Sequence, residues 1–422
     1  MSKMWITHIA QIATPLGRKL QKGGEMGRLH VIENGAVCME DGVIGAVGTM
    51  EELREQQEAD RGKAVFLNGT GKCLLPGFVD SHTHFIFGGY RPKEFISRLE
   101  GKQYLEILKE GGGILSTVKS TREASREELL ESGSSRLRDM LEQGITTVEG
   151  KSGYGLDLKC ELKQLEVMKI LNSIQPVDIA ATYLGAHAIP PEYGGDSDRY
   201  VEDMIKNVLP VLAEKRLADF CDVFCEEGVF TIEQSRRLLR AARLLGMESK
   251  IHADEIVALG GAELAAEIGA VSADHLLKAS EEGIRAMAEK GVAATLLPCT
   301  AFCLDKPYAN ARKIIDSGCG AALASDLNPG SCFCSSIPLL LALAVIHMKM
   351  TVEEAVTAIT LNGAAALGFA ERTGSIEPGK QADLVLLKYP DYRFLVYHTG
   401  VNIVETVIKN GEVAYGNPDI KE

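Results

Sequence analysis

The chain has 422 residues, with 45 basic against 58 acidic side chains and a formal net charge of −13. That balance excludes an affinity for nucleic acid carried by basic patches, and it requires an anionic substrate to meet locally placed cations. Hydrophobic residues make up 45% and charged residues 24%, enough to bury a large core, and the length suits one barrel-sized domain of about 250–300 residues plus a smaller one.

The opening residues, "MSKMWITHIAQIATPLG", lack the charged stretch and long apolar run of a secretory signal. Residues 28–72 carry strand patterns in "RLHVIENGAVCMEDGVIGAVG", where Asn34–Gly35 and Asp41–Gly42 are hairpin turn signals. Eight short apolar runs then pace the middle of the chain: "LLPGFVD", "GITTVEG", "VDIAATYLG", "DFCDVFC", "ESKIHAD", "AVSADHL", "GVAATLLP" and "GAALASD". Helix-period segments such as "REELLESGSSRLRDMLEQ" and "TIEQSRRLLRAARLLG" separate them. Alternating strands and helices imply parallel pairing, and eight such units over roughly 290 residues predict an α/β fold, a TIM-like (β/α)8 barrel. The apolar segment "SSIPLLLALAVIHMKM" is too short to span a membrane, and predicts a buried helix in the core or at a subunit interface. The tail, "GSIEPGKQADLVLLK" and "VETVIKNGEVAYGN", again reads as strand and hairpin. Both ends are therefore expected to build one small β-sandwich domain, residues 1–74 with 371–422, around a barrel of residues 75–370.

Ten cysteines are present, but the spacings Cys221/Cys225, Cys299/Cys303 and Cys332/Cys334 do not make the paired CxxC of a structural zinc site. With no export signal they are expected as free thiols in a reducing cytoplasm.

In a barrel of this kind the carboxyl ends of the strands carry the chemistry. The first run ends "FVDSHTH", and residues two apart on a strand point the same way, so His82 and His84 aim both imidazoles at one point. Alone, the pair is equally compatible with a loop cap and a core histidine. His252 ends the fifth run in "KIHADE", His275 the sixth in "ADHL" and Asp326 the eighth in "ASDLNPG". An aspartate there also suits a helix N-cap, but four imidazoles and a carboxylate at one rim together predict a divalent metal site.

With "PGFVDSHTH" as its first-strand motif, the sequence resembles the amidohydrolase superfamily. Within it, "GGYRPKEF", "GGGILSTVKSTREAS", "KSGYGL", "GAHAIPPEY", "KIHADEI", "SADHL" and "SDLNPGS", in this order, are similar to the imidazolonepropionase family over essentially the whole chain. The resemblance implies hydrolysis of 4-imidazolone-5-propanoate to N-formimino-L-glutamate, in the conversion of histidine to glutamate, by a homodimer. It implies His82, His84, His252 and Asp326 as ligands of one zinc or iron ion per chain. It implies Arg91, Tyr154 and His187 as substrate contacts, Glu255 and His275 as a catalytic pair with Glu255 also touching substrate, and Asn328, Gly330 and Ser331 as a substrate-binding loop. The physical needs agree, because a propionate requires a cation and Arg91 offers a planar bidentate fork. Tyr154 between two glycines suits a loop as well as core packing, His187 precedes a rigid Pro190–Pro191 exit, and Asn328–Ser331 has the composition of any turn. Glu255, His275 and Asp326 are equal candidates for the principal base.

The sequence departs from related patterns twice. Many superfamily members bridge two metals with a lysine on the fourth strand, whereas the fourth run here ends "FCEEG" and Lys151 ends the second. One metal is therefore expected, with Glu226 or Glu227 as the alternative bridge. "SCFCSS" follows Gly330 where the family more often has Ser-Pro. Competing readings are another mononuclear cyclic amidase or deaminase of the superfamily, and a barrel retained as an assembly partner.

Overall fold

A computed structural model describes residues 3–102, 106, 112–417 and 420–421. Gly111 of the "GGGILSTVKSTREAS" segment and the outermost residues of both terminal pieces lie outside the described residues.

The N-terminal piece supplies β1 (Lys3–Thr14), β2 (His30–Glu40), β3 (Val43–Thr49), β4 (Val65–Asn68) and β5 (Cys73–Pro76). Asp41 (φ +50°) and Gly42 (φ +82°) form the two-residue turn between β2 and β3, as their composition predicts. Asn34–Gly35 does not turn. Both residues lie inside β2, where the register against β1 shifts between Ile6 and Ile9. Asparagine at φ +48° serves a bulge as readily as a turn, so composition alone misplaces it.

The chain then enters the barrel through β6 (Phe78–Asp80), β7 (Ile145–Lys151), β8 (Asp178–Ala186), β9 (Phe220–Cys225), β10 (Glu248–Ala253), β11 (Ser272–His275), β12 (Ala293–Leu296) and β13 (Ala321–Leu323). Each of the eight apolar runs supplies one strand, and the strands pair in parallel and in chain order. The ring closes just past β6 and β13, where Asp326 N donates to His82 O (3.0 Å) and His84 N to Leu327 O (2.9 Å). The seam thus runs through residues of the predicted site. Helices cover the outside, so β7 is buried at all seven positions. The two helix-period segments form Arg126–Glu142 and Ile232–Leu244. Capping boxes start them, Ser125 with Glu128 and Thr231 with Gln234, and satisfy N–H groups that a helix end otherwise leaves bare. Helix Ile337–Ile346 buries seven of its ten residues within this one chain and leaves Ile346 exposed at its end.

The C-terminal piece returns as β14 (Leu384–Leu387), β15 (Val404–Lys409), β16 (Glu412–Tyr415) and β17 (Ile420–Lys421). It joins the N-terminal strands in one mixed sheet of order β16-β15-β14-β5-β1-β2-β3, with β4 on β1 and β17 on β4. Asn410–Gly411 makes the predicted hairpin turn between β15 and β16. The sheet wraps until Ile44 N reaches Lys380 O and Gly379 N reaches Ile44 O, both at 2.8 Å. It encloses Ile6, Ile12, Val37, Ile44, Leu74, Leu384, Leu386 and Ile408, a core to which both termini contribute.

All ten cysteines are free thiols. Among the described residues, no helix is long and apolar enough to cross a membrane.

Candidate active site

His82 and His84 leave β6 pointing into the rim of the barrel and are buried. Their Nε2 atoms each lie 3.6 Å from Asp326 Oδ1. Asp326 follows β13 with φ +52°, a conformation that costs an L-residue energy and turns its carboxylate inward. Its Oδ2 accepts from Thr300 Oγ1 (2.6 Å), and burial holds the carboxyl above the usual range. His252, on β10, stands with its ring centroid 4.6 Å from His82, and His275, ending β11, lies 5.2 Å from His252.

Three candidate ligand sets share His82: His82–His84–Asp326 and His82–His252–His275 at the rim, and His82–Glu149–Asp274 below it. Buried His82 Nε2, His84 Nδ1 and both ring nitrogens of His252 have no hydrogen-bond partner. Buried polar atoms without partners are costly unless something binds them. The unpartnered nitrogens and inward carboxylate fit a divalent cation, for which His82, His84, His252, His275 and Asp326 are the available donors.

The carboxylates beside these rings are not among the residues that the sequence pattern singles out. Asp274 Oδ2 lies 2.6 Å from His82 Nδ1, and Asp222 Oδ2 lies 2.9 Å from His252 Nδ1. At His82 the carboxylate on Nδ1 fixes the tautomer and leaves Nε2 bare for a metal, whereas Asp222 meets His252 at ion-pair distance without hydrogen-bond geometry. Both aspartates are fully buried. Burial alone would raise the Asp222 carboxyl, but the charges of His252 and Lys151 outweigh it and hold it well below the ordinary range. A charged residue inside a strand buried on both faces is the signal that could have found them.

Tyr154 and His187 leave β7 and β8 and stand together, ring centroids 5.3 Å apart. His187 stacks on His84 at 5.0 Å, and its Nδ1 lies 3.1 Å from Gly153 O. Burial chiefly, then the charge of His252, pushes the His187 imidazole down to about 3, so its ring is neutral. Tyr154 is 2% exposed yet faces the imidazoles, combining the loop and packed readings. Its loop is held by Glu161, which accepts from the N–H groups of Gly155 and Leu156 at 2.8 Å, and by Gln164, which accepts from Tyr154 N at 3.3 Å.

Arg91 precedes helix Pro92–Leu99, and its Nη1 lies 3.3 Å from Glu94 Oε1. The guanidinium sits against Gly330, whose own N–H donates to Asn328 Oδ1 (2.9 Å). Asn328 also receives Ser331 N–H (2.8 Å) and donates to Asp326 Oδ1 (3.1 Å), so it ties the loop to the candidate ligand. Glu255 Oε2 is 3.6 Å from His275 Nε2. Asp254, beside it, bonds the N–H groups of residues 259–262 and shapes that loop. Every sequence-predicted site residue therefore lies at the carboxyl rim.

The Glu226 carboxylate accepts from Ile256 N (2.8 Å) and Glu227 N (2.9 Å), a loop-holding role, and neither glutamate joins a ligand set among the described residues.

Residues 94–415 match the model of the Amidohydrolase family. An imidazolonepropionase of Parabacteroides distasonis is 58% identical over 98% of this chain and 99% of its own length. One from Clostridium tetani is 55% identical over 97% of both chains. Among solved structures, a guanine deaminase of E. coli superposes with TM-score 0.75 at 16% identity, covering 99% of this chain and 100% of its own. A zinc complex of atrazine chlorohydrolase from Arthrobacter aurescens gives 0.71 at 16%, covering 98% and 95%. At such identities the structures speak for the shared barrel-and-sheet fold, while the relatives above half identity carry the narrower assignment: the chain belongs to the amidohydrolase family and, within it, to the imidazolonepropionases.

Proposed function

We propose that this chain hydrolyses the ring amide C–N bond of 4-imidazolone-5-propanoate, giving N-formimino-L-glutamate in histidine degradation. The observation that carries the reading is the convergence of His82, His84, His252 and Asp326 at the barrel rim, in a chain 55–58% identical to imidazolonepropionases along its length. A divalent metal in that cluster supplies a water ionised near neutral pH and polarises an acyl oxygen.

The remaining work belongs to side chains. Arg91 grips the propionate with two parallel N–H donors, the local cation an acidic protein needs. Tyr154 and His187 wall the ring and keep water out. The oxygen of water bonds to the ring acyl carbon, the C–N bond breaks, and a proton must reach the departing nitrogen. Glu255, His275 and Asp326 stand where that proton is taken and returned. Glu255 lies at the more solvent-open side, its side chain 20% exposed against 5% for His275 and 4% for Asp326, which favours it for exchange with substrate.

The same reading includes one zinc or iron ion per chain, a homodimer and a cytoplasmic location. The imidazole and carboxylate donors suit either metal, and ten free thiols suit a reducing compartment. It also divides the chain into a small domain of residues 1–74 and 371–422 and a barrel of 75–370, supported by the passage from the terminal sheet to the barrel between Pro76 and Phe78. The direct test is incubation with freshly made imidazolone propionate. Loss of ring absorbance with formation of formiminoglutamate is expected, and an unchanged substrate overturns the reading.

A further inference from the structure

Five charged side chains fill the barrel below the imidazoles: Glu149, Lys151, Asp222, Lys250 and Asp274, each fully buried. Lys151 is at their centre. Its Nζ donates to Asp222 Oδ2 (2.6 Å) and Glu149 Oε1 (2.9 Å) and lies 3.6 Å from Asp274 Oδ2. These two aspartate oxygens are the same atoms that meet the imidazoles, Asp222 Oδ2 on His252 and Asp274 Oδ2 on His82. One ammonium on β7 therefore sits behind two carboxylate–imidazole pairs on β6, β9, β10 and β11.

A bare aspartate beside an imidazole can rotate, and in a dry interior it has every reason to be neutral. The lysine limits both freedoms, because its charge offsets the buried carboxylates and an N–H bonds the Asp222 oxygen that faces His252, while toward Asp274 it acts by charge at 3.6 Å. The other oxygens are also held: Asp222 Oδ1 accepts from Val223 N (2.7 Å) and Asp274 Oδ1 from Ser272 Oγ (2.6 Å). Lys250 provides an internal comparison. It is equally buried, but its Nζ donates to the carbonyls of Ser81 (3.1 Å) and Ala366 (3.2 Å) and lies 3.3 Å from Glu149 Oε2. It bonds backbone carbonyls where Lys151 bonds Asp222, and it reaches Asp274 by charge alone.

We infer that Lys151 is a positioning residue that sets the affinity of the rim site for its metal, acting through Asp222 on His252 and through Asp274 on His82. The inference rests on the metal reading above and assigns the lysine at the end of the second strand a place beneath the site.

The test measures Zn2+ affinity by chelator competition, and the visible spectrum of the Co2+ form, on folded protein at one pH. Lys151→Met is expected to weaken Zn2+ binding by about 10–100-fold, the usual effect of losing a group that orients a ligand, and to alter the Co2+ spectrum. Lys250→Met is expected to lower thermal stability and to weaken Zn2+ binding less than Lys151→Met does, because Lys250 bonds neither aspartate and reaches Asp274 by charge alone. Because Lys151→Met leaves buried carboxylates less compensated, Glu149→Gln/Lys151→Met serves as a second variant that removes one charge of each sign. It must bind Zn2+ more weakly than Glu149→Gln alone. Wild-type affinity in the Lys151 variants, or an equal loss in Lys250→Met, overturns the inference. A wild-type protein that binds no Zn2+ or Co2+ at this site instead overturns the metal reading itself.

Discussion

The Arg91 guanidinium lies directly against Gly330, so close that a Cβ on that glycine would overlap Arg91 Nη2. Arg98 Nη2 holds the same residue by its carbonyl, donating to Gly330 O at 2.7 Å. The loop after β13 is thereby the seat of the cation assigned to the propionate, and this gives a prediction that concerns binding alone. Gly330→Ala should displace Arg91 and raise KM with the metal retained. Arg91→Met removes the charge-assisted contact outright, worth roughly 1.5–3 kcal/mol, so KM should rise about ten- to 150-fold. Steady-state kinetics with metal analysis on the same sample decides it. A substrate analogue lacking the carboxylate that binds wild type as well as the true substrate would remove Arg91 from this role.

Glu255→Gln separates proton transfer from support of the site. The change keeps size and hydrogen-bonding reach but removes the base. If Glu255 handles the proton, turnover falls about 10²–10⁴-fold with metal content unchanged. If excess metal restores the rate, Glu255 only orients its neighbours, and His275 or Asp326 takes the proton.

Thiol reactivity should be sharply uneven. A hydrogen bond with Cys299 lowers the Cys334 thiol to about 6, with help from the Ser336 backbone and against partial burial. Burial pushes Cys38 and Cys319 up to about 11. The thiolate is the nucleophile, so the alkylation rate at Cys334 should rise through pH 6 and be nearly flat above pH 7. Peptide mass spectrometry after brief iodoacetamide treatment at several pH values reads this directly. A half-maximal rate above pH 8, or earlier labelling of Cys38, contradicts it.

The sequence made the barrel legible because strands buried on both faces are plain apolar runs, and its rim legible because histidines end those runs. His82 and His84 could be paired from the two-residue period of a strand alone. Asp222, Asp274 and Lys151 could not. Asp222 and Asp274 sit inside the runs and Lys151 just past one, and their partners lie on or beside other strands, 192 positions away for Asp274 and His82. Position along one strand says which face a residue takes, but not which distant residue it meets. Lys151 illustrates the cost: weighed only as a metal bridge it stands on the wrong strand, yet in the fold its ammonium lies within the same buried layer as the aspartates. Asn34–Gly35 was misplaced for a local reason, since left-handed asparagine marks a bulge and a turn alike.

If hydrolysis depends on the His–Asp cluster, titrating metal-free protein with Zn2+ or Fe2+ while following imidazolone propionate should restore it. Turnover should rise linearly and level at about one equivalent per chain, as one three-His, one-Asp site requires. His82→Ala and Asp326→Ala should gain neither metal nor rate. Full turnover in the metal-free protein, or normal occupancy and turnover in either variant, would contradict the account.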